Sequence, residues 1–468
     1  MRRIEGAPVL TAAQMRTAEA RAMAAGVGFD TLMARAGEGV AEAVRRLAAG
    51  AEVLVLCGPG NNGGDGWAAA ASLARSGHPV RVAAPFGDPR TDLARAARAA
   101  WTGPVENVGL GTTIAVEHGG SRPPIVVDAL FGIGLTRAPE DVPVAIHGVI
   151  RNARLSIAVD LPSGLASDTG AALGPTASVD ITLALGCLKP AHLLQPGAEL
   201  CGAVRVIDIG VGAPSDAEVL AAPRLRPPGP DDHKYTRGMV AVVAGEMAGA
   251  SLLAATAAMR AGAGYVALLG GVGQGGPHAL VHRPLDEHSL GDSRIGALLI
   301  GPGLGRDDAA RAKLARALAT DHPLVIDGDA LGMVDLDQLA ARTAPAILTP
   351  HAGEFRAAFG ELPGSKLDQA RAAAARSGAV VVFKGADTVI AAPDGRARLS
   401  PGASTWLSTA GTGDVLAGAI AAMLAARLDP LEAAAAGVWL HTDAARRCGA
   451  AFIADDLAAA LTHARASL

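Results

Sequence analysis

Short runs of Val, Ile, Leu and Ala recur along this chain, and each is followed by a glycine turn and then an Ala-rich stretch. Continuous apolar runs of this kind are typical of parallel strands buried by helices on both faces of a sheet. In the first half the runs are AEVLVLCG, PVRVAAP, PIVVDALFG, LSIAVDLPSG and ASVDITLALG. In the second half they are GMVAVVAG, ALLIGPG, PLVIDGDA, PAILTPH and AVVVFKG. The pattern predicts an α/β protein with parallel sheets.

The length of 468 residues exceeds what a single ordinary core accommodates, so we expect two large domains. Between the two sets of runs, residues 210–238 hold five prolines and have no clear period. Such a stretch is typical of a connection between domains. We therefore predict one domain over 1–212, a linker over 213–230 and a second domain over 231–468.

Charge and cysteine content narrow the class of protein. The formal net charge is −4 with no long run of either sign, which argues against a nucleic-acid or membrane surface as the main partner. The four cysteines are far apart, without a C-x-x-C pair, so neither disulfides nor a structural zinc site are expected. Without a signal-peptide pattern or an apolar run of about 18 residues, the sequence predicts a cytoplasmic protein.

Three strand ends of the first half carry unusual residues. GPGNNGGDG at 58–66 is interpreted as a glycine-rich turn containing Asp65, in which freed backbone N–H groups approach an anion. Asp128 and Asp160 each finish an apolar run, where an unpaired acid is costly to bury. Carboxyl ends of parallel strands converge on one ligand crevice, so the three together indicate a site. Singly, they fit a ligand-free turn or helix caps equally well.

In the second half the most informative stretch is STAGTGDVLAG at 408–418. Gly411 and Gly413 free the backbone N–H groups to bind a phosphate, and Asp414 lies where a helix begins. Asp414 is then able to accept a proton from a substrate hydroxyl. The alternative is that Thr412 or Asp414 is a plain helix cap. Lys384 at a strand end fits a binding role or a solvated surface lysine, and His351 fits a ligand contact, a core histidine or a cap.

The motifs GPGNNGGDG, DALFGIGLTR and DLPSG, in this order, resemble the NAD(P)H-hydrate epimerase domain, which has a Rossmann-like three-layer fold. The resemblance implies that Asp160 is the general acid/base that interconverts the C6 epimers of the hydrated nicotinamide ring. It implies a K⁺ ion held by Asn62, Asp128 and Ser163. The implied hydrate contacts are Asn61, Asn62, Gly63, Gly64, Asp65, Gly132, Ile133, Gly134, Leu135, Thr136, Arg137, Ala138 and Asp160.

The second half resembles ribokinase-like α/β enzymes in GTGD, and within them the ADP/ATP-dependent NAD(P)H-hydrate dehydratase domain in IGPGLG, VIDGDAL, LTPHAGEF and VVFKGADTVI. The resemblance implies a catalytic Asp414 and a nucleotide co-substrate, ADP or ATP, that arrives with Mg²⁺. One departure is Tyr235, where relatives often have glycine after the HK pair. The implied hydrate contacts are Ala250, Gly303, His351 and Asp414, and the implied nucleotide contacts are Lys384, Gly385, Ala386, Asp387, Thr388 and Gly413.

Together the two resemblances imply a bifunctional enzyme that repairs the small molecules NADHX and NADPHX, and that assembles as a homo-oligomer. Two other interpretations remain open at this point. The chain could be a small-molecule kinase of the ribokinase-like group, phosphorylating a thiazole or pyrimidine alcohol, which would leave the first half unexplained. It could instead be a binding or scaffold protein whose first domain has lost catalysis, against which the retained acids Asp128 and Asp160 argue.

Overall fold

A computed structural model describes residues 4–106, 124–138, 144–271 and 275–468. The chain divides into two compact units, residues 1–219 and 220–468. The division falls inside the stretch 213–230 in which the sequence places a linker. Part of that stretch is ordered, however, because a short strand forms at Ala217–Val219 and pairs with residues 6–9.

The first unit contains eight strands and six α-helices within its described residues. Its strands are β1 (Val53–Cys57), β2 (Val80–Ala83), β3 (Val105–Glu106), β4 (Ile125–Ala129), β5 (Leu155–Val159), β6 (Ile181–Leu185), β7 (Ala203–Ile207) and β8 (Ala217–Val219). Its helices are α1 (Ala12–Ala24), α2 (Phe29–Ala48), α3 (Asn61–Arg75), α4 (Asp92–Ala99), α5 (Val144–Arg151) and α6 (Gly197–Leu200). A 3-10 helix spans Pro190–His192.

The sheet of the first unit runs in the order β3-β2-β1-β4-β5-β6-β7, and every pair in it is parallel. Successive residues of a strand point to opposite faces, so each central strand feeds two cores. Val55 of β1 packs with Val40 of α2 on one face, whereas Leu54 packs with Ile150 of α5 on the other. This three-layer arrangement confirms the predicted α/β class, and it brings the ends of β1, β4 and β5 to one edge.

The second unit contains nine further strands and nine α-helices within its described residues. Its strands are β9 (Met239–Val243), β10 (Tyr265–Leu269), β11 (Val281–Arg283), β12 (Ile295–Ile300), β13 (Leu324–Ile326), β14 (Ala346–Leu348), β15 (Val380–Phe383), β16 (Val389–Ala391) and β17 (Ala397–Leu399). Its helices are α7 (Ala248–Ala261), α8 (Glu287–Leu290), α9 (Asp308–Leu318), α10 (Leu336–Ala340), α11 (Ala352–Phe359), α12 (Lys366–Ser377), α13 (Thr412–Ala425), α14 (Pro430–Cys448) and α15 (Ala454–Ala466). Short 3-10 helices span Gly328–Gly332 and Thr405–Leu407.

Within the second unit the strands lie in the order β11-β10-β9-β12-β13-β14-β15-β16-β17. Neighbours from β11 to β15 pair in parallel, whereas β16 pairs antiparallel with both β15 and β17. Helices α7, α13 and α14 pack together over one face, where Ala254 and Ile420 are fully buried with Val240 and Val242 of β9. With few aromatic residues, this core depends on Ala and on branched aliphatic side chains. Of the helices that the structure describes, none is long and apolar enough to cross a bilayer.

Candidate active sites

A cavity of about 790 Å³ lies at the carboxyl edge of the sheet in the first unit. Parallel strands end here, as the general rule for ligand crevices in such sheets predicts. Eight of the residues that the sequence assigns to hydrate binding line it: Asn61, Asn62, Asp65, Gly132, Ile133, Gly134, Leu135 and Asp160. A volume of this size falls in the range of small-molecule sites.

The remaining predicted contacts of this unit are placed elsewhere. Gly63 and Gly64 are buried against protein atoms, and Thr136, Arg137 and Ala138 are exposed beyond the described lining of the cavity. Asp128 and Ser163 lie behind the cavity wall, where Asp128 is 2% exposed.

The segment interpreted as a glycine-rich turn is helical instead, since α3 begins at Asn61. The reason is close packing. A Cβ on Gly63 would lie 1.9 Å from the carbonyl oxygen of Gly58, and one on Gly66 would lie 2.6 Å from Cβ of Ala129. These glycines therefore let α3 approach the sheet, which overrides their low helix propensity and places Asp65 on the second turn of a helix.

Asp160 is held by a set of contacts that its position at a strand end alone does not predict. It adopts a left-handed backbone conformation with φ of 65°, and its side chain is buried. Oδ1 accepts hydrogen bonds from Nζ of Lys189 and from the backbone N–H of Leu185, the latter at 3.1 Å. Nε2 of His192 lies 2.7 Å from the Asp160 carbonyl oxygen. Lys189, which is 1% exposed, also lines the cavity.

Two further carboxyl groups face the same cavity. Burial raises the pKa of Asp65 well above its ordinary value, and the negative charges of Asp160 and Glu19 add to the rise while Lys189 opposes it. Burial likewise raises the pKa of Glu19, against the attraction of Lys189. The sequence gives no local signal for Glu19 or Lys189, although Lys189 is one of only five lysines in the chain.

Asp128 and Ser163 form a tight unit behind the cavity. The Ser163 hydroxyl donates to Oδ1 of Asp128 at 2.6 Å, and the Ser163 N–H donates to Oδ2 at 2.9 Å. Burial nevertheless raises the pKa of Asp128, with these hydrogen bonds opposing the rise. Within the described residues, no Lys or Arg forms an ion pair with this carboxylate. The side-chain nitrogen of Asn62 is buried with no hydrogen-bond partner.

In the second unit, α13 begins at Thr412 directly after Gly411, which has a φ of 87°. Asp414 therefore lies in the first turn of the helix, where the N-terminal end favours a negative charge. A Cβ on Gly413 would lie 3.4 Å from Nζ of Lys384 and 4.0 Å from Oδ2 of Asp327. The start of α13 thus faces the ends of β13 and β15, and Asp414 is half-buried there.

Lys384, which follows β15, pairs with Asp327, which follows β13. Its Nζ lies 2.8 Å from Oδ1 of Asp327 and 3.7 Å from Oε2 of Glu354. Although burial lowers the pKa of Lys384, these carboxylates outweigh the loss and raise it. Thr349 donates to the same Asp327 oxygen at 2.6 Å. Sequence reasoning missed Asp327, although it directly follows β13 as Asp160 directly follows β5.

The surroundings of Asp414 raise the pKa of its carboxyl group. Burial raises the pKa of Asp414 to about 7, the charge of Asp327 adds to the rise, and Lys384 opposes it. Asp329 and Glu354 contribute smaller repulsions. A carboxylate with a pKa near neutrality suits general base catalysis.

The other predicted residues of this unit differ in their surroundings. His351 caps α11 through Nδ1, which accepts from the Gly353 N–H at 3.0 Å, and its ring is exposed. Gly303 and Ala250 adjoin each other, since a Cβ on Gly303 would lie 2.9 Å from that of Ala250. Of the predicted nucleotide contacts after Lys384, Gly385 and Ala386 are exposed, Thr388 hydrogen-bonds Gly385, and Asp387 pairs with Lys366 at 2.5 Å.

Comparison with known proteins covers both units. Residues 30–191 match the family described as YjeF-related protein N-terminus, and residues 240–465 match the family described as NAD(P)H-hydrate dehydratase. The bifunctional NAD(P)H-hydrate repair enzyme of Salinibacter ruber is 37% identical over 95% of this chain and 92% of its own length. The enzyme of the same name from Mycobacterium tuberculosis is 37% identical over 90% of both chains.

The chain belongs to the family of bifunctional NAD(P)H-hydrate repair enzymes. Its first unit is accordingly the epimerase domain and its second unit the dehydratase domain. A relative that matches both halves sets aside the vitamin-precursor kinase, which would leave the first half unexplained. Among solved structures, the ADP/ATP-dependent NAD(P)H-hydrate dehydratase of Bacillus subtilis is 30% identical and covers 52% of this chain and 94% of its own, with a TM-score of 0.46.

Proposed function

We propose that this repair enzyme returns both C6 epimers of NADHX and NADPHX to NADH and NADPH. The first unit interconverts the R and S hydrates, and the second dehydrates the S hydrate at the expense of a nucleotide. The observation that carries the proposal is Asp414, a half-buried carboxylate with a pKa of about 7 beside Lys384 and the start of α13.

The dehydratase step that we propose begins with proton transfer. Asp414 accepts the proton of the C6 hydroxyl while that oxygen attacks the terminal phosphorus of the nucleotide, whose bond to the bridging oxygen breaks. The phosphate then leaves C6 with the electrons of the C–O bond. The ring nitrogen supplies electrons to C6, C5 loses a proton, and the C5–C6 double bond forms again. Backbone N–H groups around Gly411 and Gly413 would stabilise the transferred phosphate.

Binding of the nucleotide is assigned to Gly413, Lys384 and the loop that follows β15. Lys384 supplies positive charge at the ends of the strands, and its pairing with Asp327 fixes its direction. Mg²⁺ would enter with the phosphates, since this ion is ordinarily held by one or two carboxylates together with substrate oxygens. His351, Gly303 and Ala250 are proposed as hydrate contacts.

For the epimerase unit we propose that the hydrated nicotinamide occupies the 790 Å³ cavity with C6 near Asp160. The ion pair with Lys189 holds the Asp160 carboxylate at the cavity, where it would accept and return a proton. Residues at the carboxyl ends of the strands, from Asn61 to Asp65 and from Gly132 to Ala138, would contact the rest of the dinucleotide.

A K⁺ ion fits the residues behind this cavity. Asp128 is a buried carboxylate without a Lys or Arg ion pair among the described residues. The side-chain nitrogen of Asn62 is buried and unpaired, so that a flipped amide would offer its oxygen instead. Hard cations prefer such oxygen ligands. We propose that Asn62, Asp128 and Ser163 hold K⁺. When bound, the ion would neutralise Asp128 and attract the substrate's diphosphate.

The proposed function is tested by mixing hydrated NADH with the purified chain and ADP or ATP, and following the absorbance band of reduced nicotinamide. Nucleotide-dependent recovery of both epimers is the expected result. We expect Asp414→Asn to abolish recovery, and Asp160→Asn to recover the S hydrate while leaving R to spontaneous epimerisation. Asp308→Asn, which alters an exposed acid of α9, is the control. Normal turnover by Asp414→Asn would contradict the assigned base.

We also propose the nucleotide, the cellular compartment and the assembly of the enzyme. The nucleotide is ADP rather than ATP, the enzyme acts in the cytoplasm, and it assembles as a homo-oligomer. The four cysteines form no disulfide, which is compatible with a reducing compartment. Comparing initial rates with each nucleotide tests the first point, and light scattering after size-exclusion chromatography tests the third.

A further inference from the structure

We propose that Asp65 is a second proton-transfer residue of the epimerase cavity, acting as an acid alongside Asp160, and that Lys189 is the positioning residue that holds the Asp160 carboxylate. This inference rests on the epimerase function proposed above, because it assigns roles in that reaction to residues of the same cavity. The two carboxyl groups line one cavity but have opposite surroundings.

Asp160 is surrounded by donors. Nζ of Lys189 and the N–H of Leu185 both donate to Oδ1, and the imidazole of His192 binds the backbone of the same residue. Nζ of Lys189 also donates to the Leu185 carbonyl at 2.9 Å, so its position is fixed from two sides. Charge-assisted hydrogen bonds of this kind are short and directional, so they hold the Asp160 carboxylate in one position.

Asp65 has no such partners. Its carboxyl group forms no hydrogen bond or ion pair within the described residues, and it lies on the second turn of α3 facing the cavity. The charged groups that act on it are Asp160, Glu19 and Lys189. Burial and the two carboxylates outweigh the lysine and raise the pKa of Asp65, which favours its protonated form. The cavity therefore contains one carboxylate held by donors and one unpartnered carboxyl that favours its proton, an arrangement that suits base and acid roles.

In the proposed epimerisation, the hydrated nicotinamide ring opens and closes between the carboxyl groups of Asp160 and Asp65. Asp160 takes the proton of the C6 hydroxyl, the C6–N1 bond breaks with its electrons moving to N1, and N1 takes a proton from Asp65. C6 is then an aldehyde carbon that can rotate about the C5–C6 bond. Closure on the other face reverses the transfers: N1 returns its proton to Asp65, and the new hydroxyl takes the proton held by Asp160. Both residues regain their initial states.

The test uses the full chain without nucleotide, so that the dehydratase unit consumes nothing. Purified S hydrate is supplied, and the appearance of R is followed by chromatography across neutral and alkaline pH, after subtraction of the spontaneous rate. We expect the wild-type kcat/KM to fall at alkaline pH as Asp65 loses its proton. Asp65→Asn should lower kcat/KM at neutral pH by about 100-fold, a typical contribution of a general acid, and abolish the alkaline fall.

Two variants separate Asp65 from its neighbours. Glu19→Gln, which removes the other carboxyl of the cavity with a raised pKa, should keep the alkaline fall but move it to lower pH, because the charge of Glu19 adds to the raised pKa of Asp65. Glu42→Gln is the control, since Glu42 pairs with Arg46 on the surface of α2. If Glu19→Gln instead of Asp65→Asn abolished the alkaline fall, or if Asp65→Asn kept wild-type kcat/KM, the assignment of Asp65 would be overturned. If the wild type did not convert S to R, the epimerase function itself would be overturned.

Lys189 is tested by substitution and by rescue with the conservative variant. Lys189→Met removes the donor that holds Oδ1 of Asp160, so kcat for conversion of S to R should fall while KM stays near the wild-type value. Lys189→Arg, which retains a charged donor, should restore part of the lost kcat. Melting temperatures check that each variant folds. If Lys189→Met kept the wild-type kcat, or if Lys189→Arg folded but was as slow as Lys189→Met, the positioning role would be overturned.

Discussion

Nε2 of His441 lies 2.9 Å from the carbonyl oxygen of Thr412, so a buried residue of α14 holds the first residue of α13. Burial lowers the pKa of His441 to about 4, which leaves the imidazole neutral near pH 7 and able to donate from Nε2. The Thr412 hydroxyl lies 2.8 Å from the Leu407 carbonyl oxygen and 2.9 Å from that of Thr409. The loop before Asp414 is thus fixed from two sides.

We expect His441→Leu to lower the free energy of unfolding of the second unit by about 1 kcal/mol, the usual net contribution of one hydrogen bond. Because the same bond positions the loop, dehydration of the S hydrate should slow while conversion of S to R stays unchanged. Chemical unfolding and the two separate activity assays measure these effects. Equal loss of both activities would indicate a general folding defect instead.

The dehydration rate should rise with pH through about 7 and then level off, since Asp414 acts as a base only when ionised. Lys384→Met removes the positive charge that lowers the pKa of Asp414, so the midpoint should move to higher pH. Lys313→Met is the control, because Lys313 donates to the Ala244 carbonyl at 2.8 Å and belongs to α9. An unchanged midpoint in Lys384→Met would contradict the coupling. Single-turnover rates across the pH range provide the measurement.

Exchange of K⁺ for tetramethylammonium should slow conversion of S to R, and return of K⁺ should restore it. Ser163→Ala should require more K⁺ for half-maximal rate, because it loses one of the proposed oxygen ligands and the 2.6 Å hydrogen bond to Asp128. Ser76→Ala, at the end of α3, is the matched control. Titration of the rate against K⁺ distinguishes them, and identical curves for the two variants would contradict the proposed site.

Tyr235 stabilises the start of the second unit through contacts that a glycine there would lack. The guanidinium carbon of Arg294 lies 4.7 Å from the centre of its ring, and Nη1 of Arg294 donates to its hydroxyl at 3.0 Å. Tyr235→Gly should lower the free energy of unfolding by about 1 kcal/mol, as expected for an exposed cation–π contact. Tyr235→Phe, which keeps the ring, should lose less. Denaturant unfolding compares the two, and equal losses would assign the effect to the hydroxyl.

The order of elements and the two α/β units could be predicted from the sequence because apolar runs and glycine turns are local signals. The position of Asp414 at the start of a helix was also predictable, since its glycines and its helix lie beside it in the chain. The start of α3 at Asn61 was not. There the local signal of five glycines indicates a turn, whereas close packing against Gly58 and Ala129, formed only in the folded unit, accommodates a helix.

Groups that act on the predicted residues from elsewhere in the chain were missed for the same reason. Lys189 lies 29 residues after Asp160, and Lys384 lies 57 residues after Asp327, so no local pattern joins either pair. Partial signals existed: lysine is rare in this chain, and Asp327 finishes an apolar run in VIDGDAL. A rule that pairs the few lysines of the chain with the acids at strand ends would predict both ion pairs.

The contact between Gly63 and the carbonyl of Gly58 limits how this domain can diversify. Any side chain at residue 63 would force α3 outward from the sheet, carrying the neighbouring amide and carboxyl groups with it. The glycine signature of this segment is therefore a requirement of the architecture, which a descendant binding an unrelated molecule would inherit. Specificity would evolve at Asn61, Asn62 and Asp65, the positions that the helix presents to the cavity.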